Sequence, residues 1–405
     1  MLCQFTVKNF KSIRDEVTFD MQAAAISEHE DRIIIDKDEE KYLPVSAIYG
    51  PNGGGKSNVL AALHTLVAKV LRPLFATEDS EEKVLLQKKI IVEPFVFSES
   101  KDEPTEFELF FRTAVSEYRY ILHVKRELVL YESLDRVKLE TGRKSALFTR
   151  DENGIVLKGA FAKLKVSDEL SKTLTLLSYL GIAYKGNAVV KDVLSWFEYG
   201  IEFLNYGNPI QELRMAVSTS EEVKQLMLQM IQEMDLDIVD FRVEEKENER
   251  IDIFTKHCVD DVETEINLFD ESSGTKKLFG LLPFIAKSLL KGTTLVIDEL
   301  DAKIHPVLLK YLIMTFSNME KNKKGAQFTS HDLSTMNSEV FRRDEIWFVA
   351  KGNRQNSKLY SLVEFKNKKG ESVRKDAKFD KQYLEGKYGA DPYLRKIIDW
   401  GTVNG

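Results

Sequence analysis

Gly50-Pro51-Asn52-Gly53-Gly54-Gly55-Lys56-Ser57 fits the spacing G-x-x-x-x-G-K-S, between an apolar run from Val45 to Tyr49 and a helix-like run from Asn58 to Val70. That order is what a phosphate cradle needs. Glycines let successive backbone N–H groups point inward, the helix N-terminus adds its positive dipole, Lys56 reaches the outer phosphates and Ser57 offers a hydroxyl to Mg²⁺. The strand before and the helix after predict an α/β P-loop arrangement that binds a nucleoside triphosphate. Gly50, Asn52, Gly53, Gly55, Lys56, Ser57 and Asn58 are the candidate nucleotide contacts.

A second set of motifs lies downstream. Thr293 to Ile297 is a buried-strand run ending in Asp298 and Glu299, followed by Leu300 and Asp301. A carboxylate at the carboxyl end of a strand can hold Mg²⁺, and the next one can orient and deprotonate a water. Asp298 is therefore the candidate metal ligand and Glu299 the candidate general base; alone, the same pair also reads as a cap for the next helix. Glu271-Ser272-Ser273-Gly274-Thr275-Lys276-Lys277-Leu278 opens a helix, Leu278 to Leu290, that runs into this strand. Its small polar loop is a second anion site by the dipole argument, or an ordinary N-cap. One nucleotide has no need of two cradles, which points to a site shared between two copies. Ala326 to Thr329 predicts another strand, ending in Ser330-His331-Asp332, where His331 is placed to contact a γ-phosphate or to serve as a structural residue.

The 405 residues are 43% hydrophobic, enough for a large core. Cys3 and Cys258 form no C-x-x-C, which argues against a disulfide framework and suits a reducing cytosol. The opening segment alternates polar and apolar residues, so neither a secretory signal nor a membrane span is expected. The net charge of −7 is uneven: residues 351–396 hold 13 Lys/Arg against 6 Asp/Glu. Residues 1–20 read as an edge hairpin, Thr77 to Lys89 as an acidic helix-compatible stretch, and Glu106 to Arg112, Tyr118 to Lys125, Leu128 to Leu130, Ile238 to Val243 and Arg250 to Lys256 as strands. Between Val166 and Asp235 the period turns helical, and the stripe Val223, Leu226, Met227, Met230, Met234 reads as core.

These motifs resemble the Walker A, signature, Walker B with D-loop, and H-loop of ABC-type ATPases, more narrowly the SMC, RecF and OLD branch. Phe5-Thr6-Val7-Lys8-Asn9-Phe10-Lys11-Ser12-Ile13 is similar to that branch's first strand. R-R-D-E-I-W-F at 342–348 and Y-L-E-G-K-Y-G-A-D-P at 383–392 resemble the RloA or AbiLi ATPases of bacterial abortive-infection loci. The resemblance implies an ABC-ATPase-like P-loop NTPase fold with an N-terminal antiparallel β subdomain and an inserted helical lobe. It divides the chain into 1–165 and 238–350 as the two halves of the ATPase domain, 166–237 as the lobe and 351–405 as a basic extension. It also implies ATP and Mg²⁺ as ligands, Lys56 on phosphates, Ser57 and Asp298 on Mg²⁺, Glu299 as base, His331 as γ-phosphate sensor, Asp301 in the D-loop, and Ser272 with Gly274 acting on the nucleotide of a second subunit. The signature lacks the usual leucine and second glycine, and no motif marks a Q-loop glutamine, Gln87 being the nearest candidate.

The leading functional expectation is a cytoplasmic, nucleotide-gated homodimer or higher homo-oligomer that controls a nuclease-like effector from a neighbouring gene in anti-phage defence. A RecF-like DNA-repair ATPase and a self-contained OLD-like nuclease are the alternatives, and a transporter subunit fits least. The lysines and arginines between Lys366 and Lys381 make nucleic-acid phosphates or an acidic partner the candidate ligands, or form only a solvated surface.

Overall fold

The computed structural model describes residues 1–75, 90–167, 170–204, 220–234, 237–246, 250–318, 326–330, 332–352, 354–367 and 369–390. Thr77 to Lys89 with Gln87, His331, Lys368 and the end of the 383–392 motif lie outside the described residues.

Alternation of apolar residues sets the first strands. β1 (Leu2–Lys8) pairs antiparallel with β2 (Val17–Asp20), Phe5 opposite Phe19. A small hairpin, β3 (Ile34–Ile35) with β4 (Lys41–Tyr42), precedes β5 (Val45–Tyr49), which leads through the glycine loop into α1 (Lys56–Phe75). A meander follows: β6 (Thr105–Arg112), β7 (Ser116–Lys125), β8 (Leu128–Lys138), β9 (Lys144–Asp151) and β10 (Gly154–Leu157). It closes a seven-stranded sheet in the order β10-β9-β8-β7-β6-β1-β2. The expected hairpin therefore has only β2 at the edge, because β1 also pairs with β6. α2 (Leu176–Ala183) and α3 (Ala188–Ser195) come next, then a π-helical turn over Trp196–Gly200 and β11 (Ile201–Leu204). Buried Glu132 on β8 accepts the N–H groups of Leu176 (2.6 Å) and Leu177 (2.9 Å), anchoring the start of α2 to the sheet.

α4 (Glu221–Glu233) carries the Met stripe, with Met227, Met230 and Met234 buried. After it come the three-stranded sheet β12 (Ile238–Lys246), β13 (Arg250–Val259) and β14 (Val262–Asn267), then α5 (Ser273–Lys291), β15 (Thr294–Ile297), α6 (Pro306–Asn318), β16 (Ala326–Thr329), β17 (Ile346–Lys351), β18 (Ser357–Ser361) and α7 (Phe379–Leu384). The six-stranded central sheet runs β11-β15-β16-β5-β17-β18, parallel except for β18.

The central sheet is a middle layer, and its period of two shows this. Val45, Ala47, Tyr49, Ile346 and Phe348 face one core with α4, α5 and α6. Ile48, Val296, Trp347 and Val349 face the other, with α1, α2, α3 and the antiparallel sheet. α1 is long and apolar enough, by length and composition, to cross a membrane, but here it lies within that second core.

Two expected spans hold strands that their composition did not show. Ile201–Leu204 falls inside the stretch read as a helical lobe, yet pairs in register with Thr294–Ile297 in the central sheet. Four residues after a π turn are too few to show a strand period. Within the span read as a basic extension, 351–405, the described residues up to 390 pack on the core: β18 pairs with β17, and Phe348 stacks on Tyr383 (5.6 Å) and Tyr388 (5.1 Å). Charge counting hid the aromatic residues that hold it.

Candidate functional site

The phosphate loop is shaped by glycines and held from outside. Gly53 (φ 70°) and Gly55 (φ 108°) occupy backbone conformations that side chains disfavour. A Cβ on Gly55 would stand 2.2 Å from Ser357 Oγ and 2.6 Å from Ser12 Oγ. Those hydroxyls form a clamp: Ser357 Oγ lies 2.6 Å from the Gly54 carbonyl oxygen and 2.7 Å from Ser12 Oγ, and Asn58 Nδ2 donates to Ser12 Oγ at 2.7 Å. Sequence reading missed both serines. Ser12 stood inside the quoted N-terminal motif, whereas Ser357 carried no local signal.

Lys56 is buried, and its ammonium donates to the loop's own carbonyls at Gly50 (2.9 Å) and Pro51 (3.2 Å). Burial lowers its pKa, against the opposing pull of Asp298, Asp301 and Glu299. Ser57 and Asn52 are exposed at the loop surface.

Parallel pairing brings the second set of residues to the same edge. β16 separates β15 from β5, with Phe328 opposite both Ile297 and Ala47, so Asp298 and Gly50 both follow the carboxyl ends of their strands. Asp298 is half-buried and Glu299 exposed, the latter in a left-handed conformation (φ 52°). Asp301 Oδ1 is buried with no hydrogen-bond partner among the described residues. Ser330 N donates to the Ile48 carbonyl (3.2 Å) beside the phosphate loop.

The signature stretch is the first turn of α5. Ser272 Oγ accepts the Thr275 N–H (3.1 Å) and lies 2.8 Å from Thr275 Oγ1. Gly292 (φ 64°) ends the helix and reverses the chain into β15, which returns the signature to the edge that carries Asp298. A Cβ on Gly274 would stand 3.3 Å from the Lys303 carbonyl oxygen, so the signature abuts the turn after β15 in its own chain. Glu271 accepts from Thr255 (2.6 Å) and meets His257 Nε2 (2.7 Å), which ties the signature to β13. A further cavity, about 220 Å³, is bounded by Tyr49, Gly50, Pro51, Asn52, Ser330, Leu333, Tyr383 and Leu384. Tyr383 and Leu384 were not foreseen at the site.

The donor set fits a magnesium nucleotide. Ser57 and Asp298 offer hard oxygens, and an ion that keeps waters and phosphate ligands needs only one or two from the protein. The Gly55 close approach leaves no room for a side chain within the cradle wall, and Asp301 retains an unused acceptor.

A parallel sheet with helices on both faces, whose strand-to-helix loop carries Lys56 at a helix start, defines a P-loop nucleoside-triphosphatase fold. The chain belongs to the family described as AAA domain, putative AbiEii toxin, Type IV TA system, whose profile matches residues 45–337. No curated protein matches it. Among solved structures it is similar to the SMC head domain from Thermotoga maritima (16% identity, TM-score 0.44, covering 89% of this chain and 98% of that one). It is also similar to an SMC head bound to the C-winged helix domain of ScpA (13%, TM-score 0.45, 89% and 97%). A third is the Pyrococcus furiosus SMC head with an extended coiled coil bound to the C-terminal domain of ScpA (12%, TM-score 0.44, 89% and 96%).

Proposed function

We propose that this chain is an ATP-hydrolysing, nucleotide-gated homodimer that controls a nuclease-like effector in bacterial anti-phage defence. The observation that carries the hydrolytic part is the convergence of Asp298 and Glu299 on the strand edge that bears the phosphate loop. The defence role rests on the resemblance of the 342–348 and 383–392 motifs to RloA and AbiLi ATPases, and on the toxin wording of the family description.

In this reading Lys56 exchanges its two loop carbonyls for phosphate oxygens, and backbone N–H groups from Gly53 to Ser57 surround the phosphates. Ser57 and Asp298 hold Mg²⁺, which neutralises charge on the transferring group. Glu299 takes the proton of the attacking water. His331 senses the γ-phosphate, while Ser272 and Gly274 meet the nucleotide of the second subunit. Loss of the γ-phosphate removes that shared ligand and separates the subunits, which turns chemistry into a shape change an effector can read.

Glu299→Gln is the deciding experiment. It removes the base and leaves the phosphate and Mg²⁺ ligands, so ATP binding should persist, turnover should fall at least about a hundredfold, and an ATP-bound dimer should accumulate. Wild-type turnover in the purified variant would sink the assignment.

A further inference from the structure

Lys277 joins the signature helix to the turn that carries the candidate base. Its Nζ donates to the backbone oxygens of Glu299 (2.9 Å) and Leu300 (3.1 Å). The gripped turn is costly in itself. Glu299 (φ 52°) and Lys303 (φ 63°) are both left-handed without being glycine. The Ala302 N–H donates to the Glu299 carbonyl (3.2 Å) and the Ile304 N–H to the Asp301 carbonyl (3.1 Å), so the turn closes on itself. Lys277 then fastens it to α5. Gly274, three residues earlier and therefore on the same helix face, lies against the other end of the turn at Lys303. Two points of one helix face thus touch both left-handed ends. Burial pushes the Lys277 pKa down to about 8, with Asp301 and Glu299 opposing the shift and Lys303 adding to it. Its two hydrogen bonds to the turn make this half-buried lysine part of that turn and not a solvated surface charge.

We propose that Lys277 is a positioning residue for ATP turnover, fixing the left-handed turn from which Glu299 of its own chain acts. This rests on the reading of Glu299 as base, and it adds a residue that the motif pattern does not single out. An arginine can still donate to both carbonyls; glutamine lacks the charge and the reach.

The test separates this role from a stability role and from the shared-site reading. Lys277→Gln should bind ATP within about threefold of wild type and turn over at least about tenfold more slowly, and Lys277→Arg should recover most of the rate. Equal losses of binding and turnover in both variants, or wild-type turnover in Lys277→Gln, would overturn the proposal. Mixing a Lys56→Ala chain with a Ser272→Arg chain leaves one intact composite site, whose phosphate loop and Glu299 belong to the Ser272→Arg chain. Lys277→Gln placed in that chain should cut the restored activity at least about tenfold, whereas in the Lys56→Ala chain it should spare it. The reverse pattern defeats the own-chain assignment. If the mixture without Lys277→Gln is inactive despite proven heterodimers, the shared-site reading fails, and Lys277 is still judged by the binding and turnover of the single-chain variants.

Discussion

The two helix starts at this site, Lys56 and Ser273, are built in opposite ways. α1 follows Gly55, which has no side chain to cap it, and its loop is held from outside by Ser12 and Ser357. α5 follows Ser272, whose hydroxyl already accepts the Thr275 N–H. A start without a side-chain cap from Gly55, bent by glycines, leaves amide protons for an incoming anion, although the Gly54 and Asn58 N–H groups already meet the Pro51 and Gly55 carbonyls. A capped start is satisfied without one. The first loop is thus preorganised for a phosphate, with the Lys56 ammonium held on loop carbonyls nearby, while the second has no need of a ligand. A phosphate brought to the second loop must arrive with contacts of its own, as the nucleotide of another subunit would.

The largest effect that could break this comparison comes from Lys56. Removing a charge-assisted donor is worth about 1.5–3 kcal/mol, so Lys56→Ala should weaken ATP binding by roughly a hundredfold in calorimetric titrations with Mg²⁺. Ser272→Arg, at the other helix start, should leave affinity at the chain's own loop within about threefold. Equal losses from both would mean that the two loops serve one nucleotide within one chain.

Backbone form gives a smaller and sharper contrast. Gly55→Ala forces a Cβ into Ser357 Oγ at a positive φ, and should cost about 2–3 kcal/mol of stability in denaturant unfolding. Gly274→Ala enters the first turn of a helix, where its Cβ meets the Lys303 carbonyl at 3.3 Å and Ser272 Oγ at 3.8 Å. Alanine is the better helix former by about 1 kcal/mol, so this change should be neutral or stabilising. A Gly55→Ala protein as stable as wild type would show that the hydroxyl clamp does not constrain the loop.

How far the site could be read in advance follows from the same contrast. The phosphate loop was legible because its residue types are themselves the constraint: glycine for backbone form, lysine for charge, serine for a hydroxyl. The Met stripe of α4 was legible from its period, and the strand before Asp298 from its unbroken apolar run. Ser12 and Ser357 were not paired in advance, since their meeting across 345 residues exists only in the folded chain. Lys277 sat in a polar pair beside Lys276 that looks solvated, and its role comes from a turn 22 residues away. The strands β11 and β18 went unread for a related reason. Local composition reported a helical period and a positive charge, while pairing partners distant in sequence decided the layer.

The smallest effect tests the capped loop itself. Ser272→Ala removes the acceptor of the Thr275 N–H, and Thr275 is buried, so stability should fall by about 1 kcal/mol, with ATP affinity at the chain's own loop unchanged. Ser272→Asp sharpens the result, because aspartate caps a helix as well as serine does and favours the positive end of its dipole. Its stability should return to the wild-type value in the same unfolding measurement. The added negative charge, however, stands where a second subunit's phosphate would approach, so ATP-dependent dimerisation, followed by light scattering, should be lost in Ser272→Asp while it survives in Ser272→Ala. If Ser272→Asp recovers both stability and ATP-dependent dimerisation, the second loop meets no phosphate, and the difference between the two helix starts is one of capping alone.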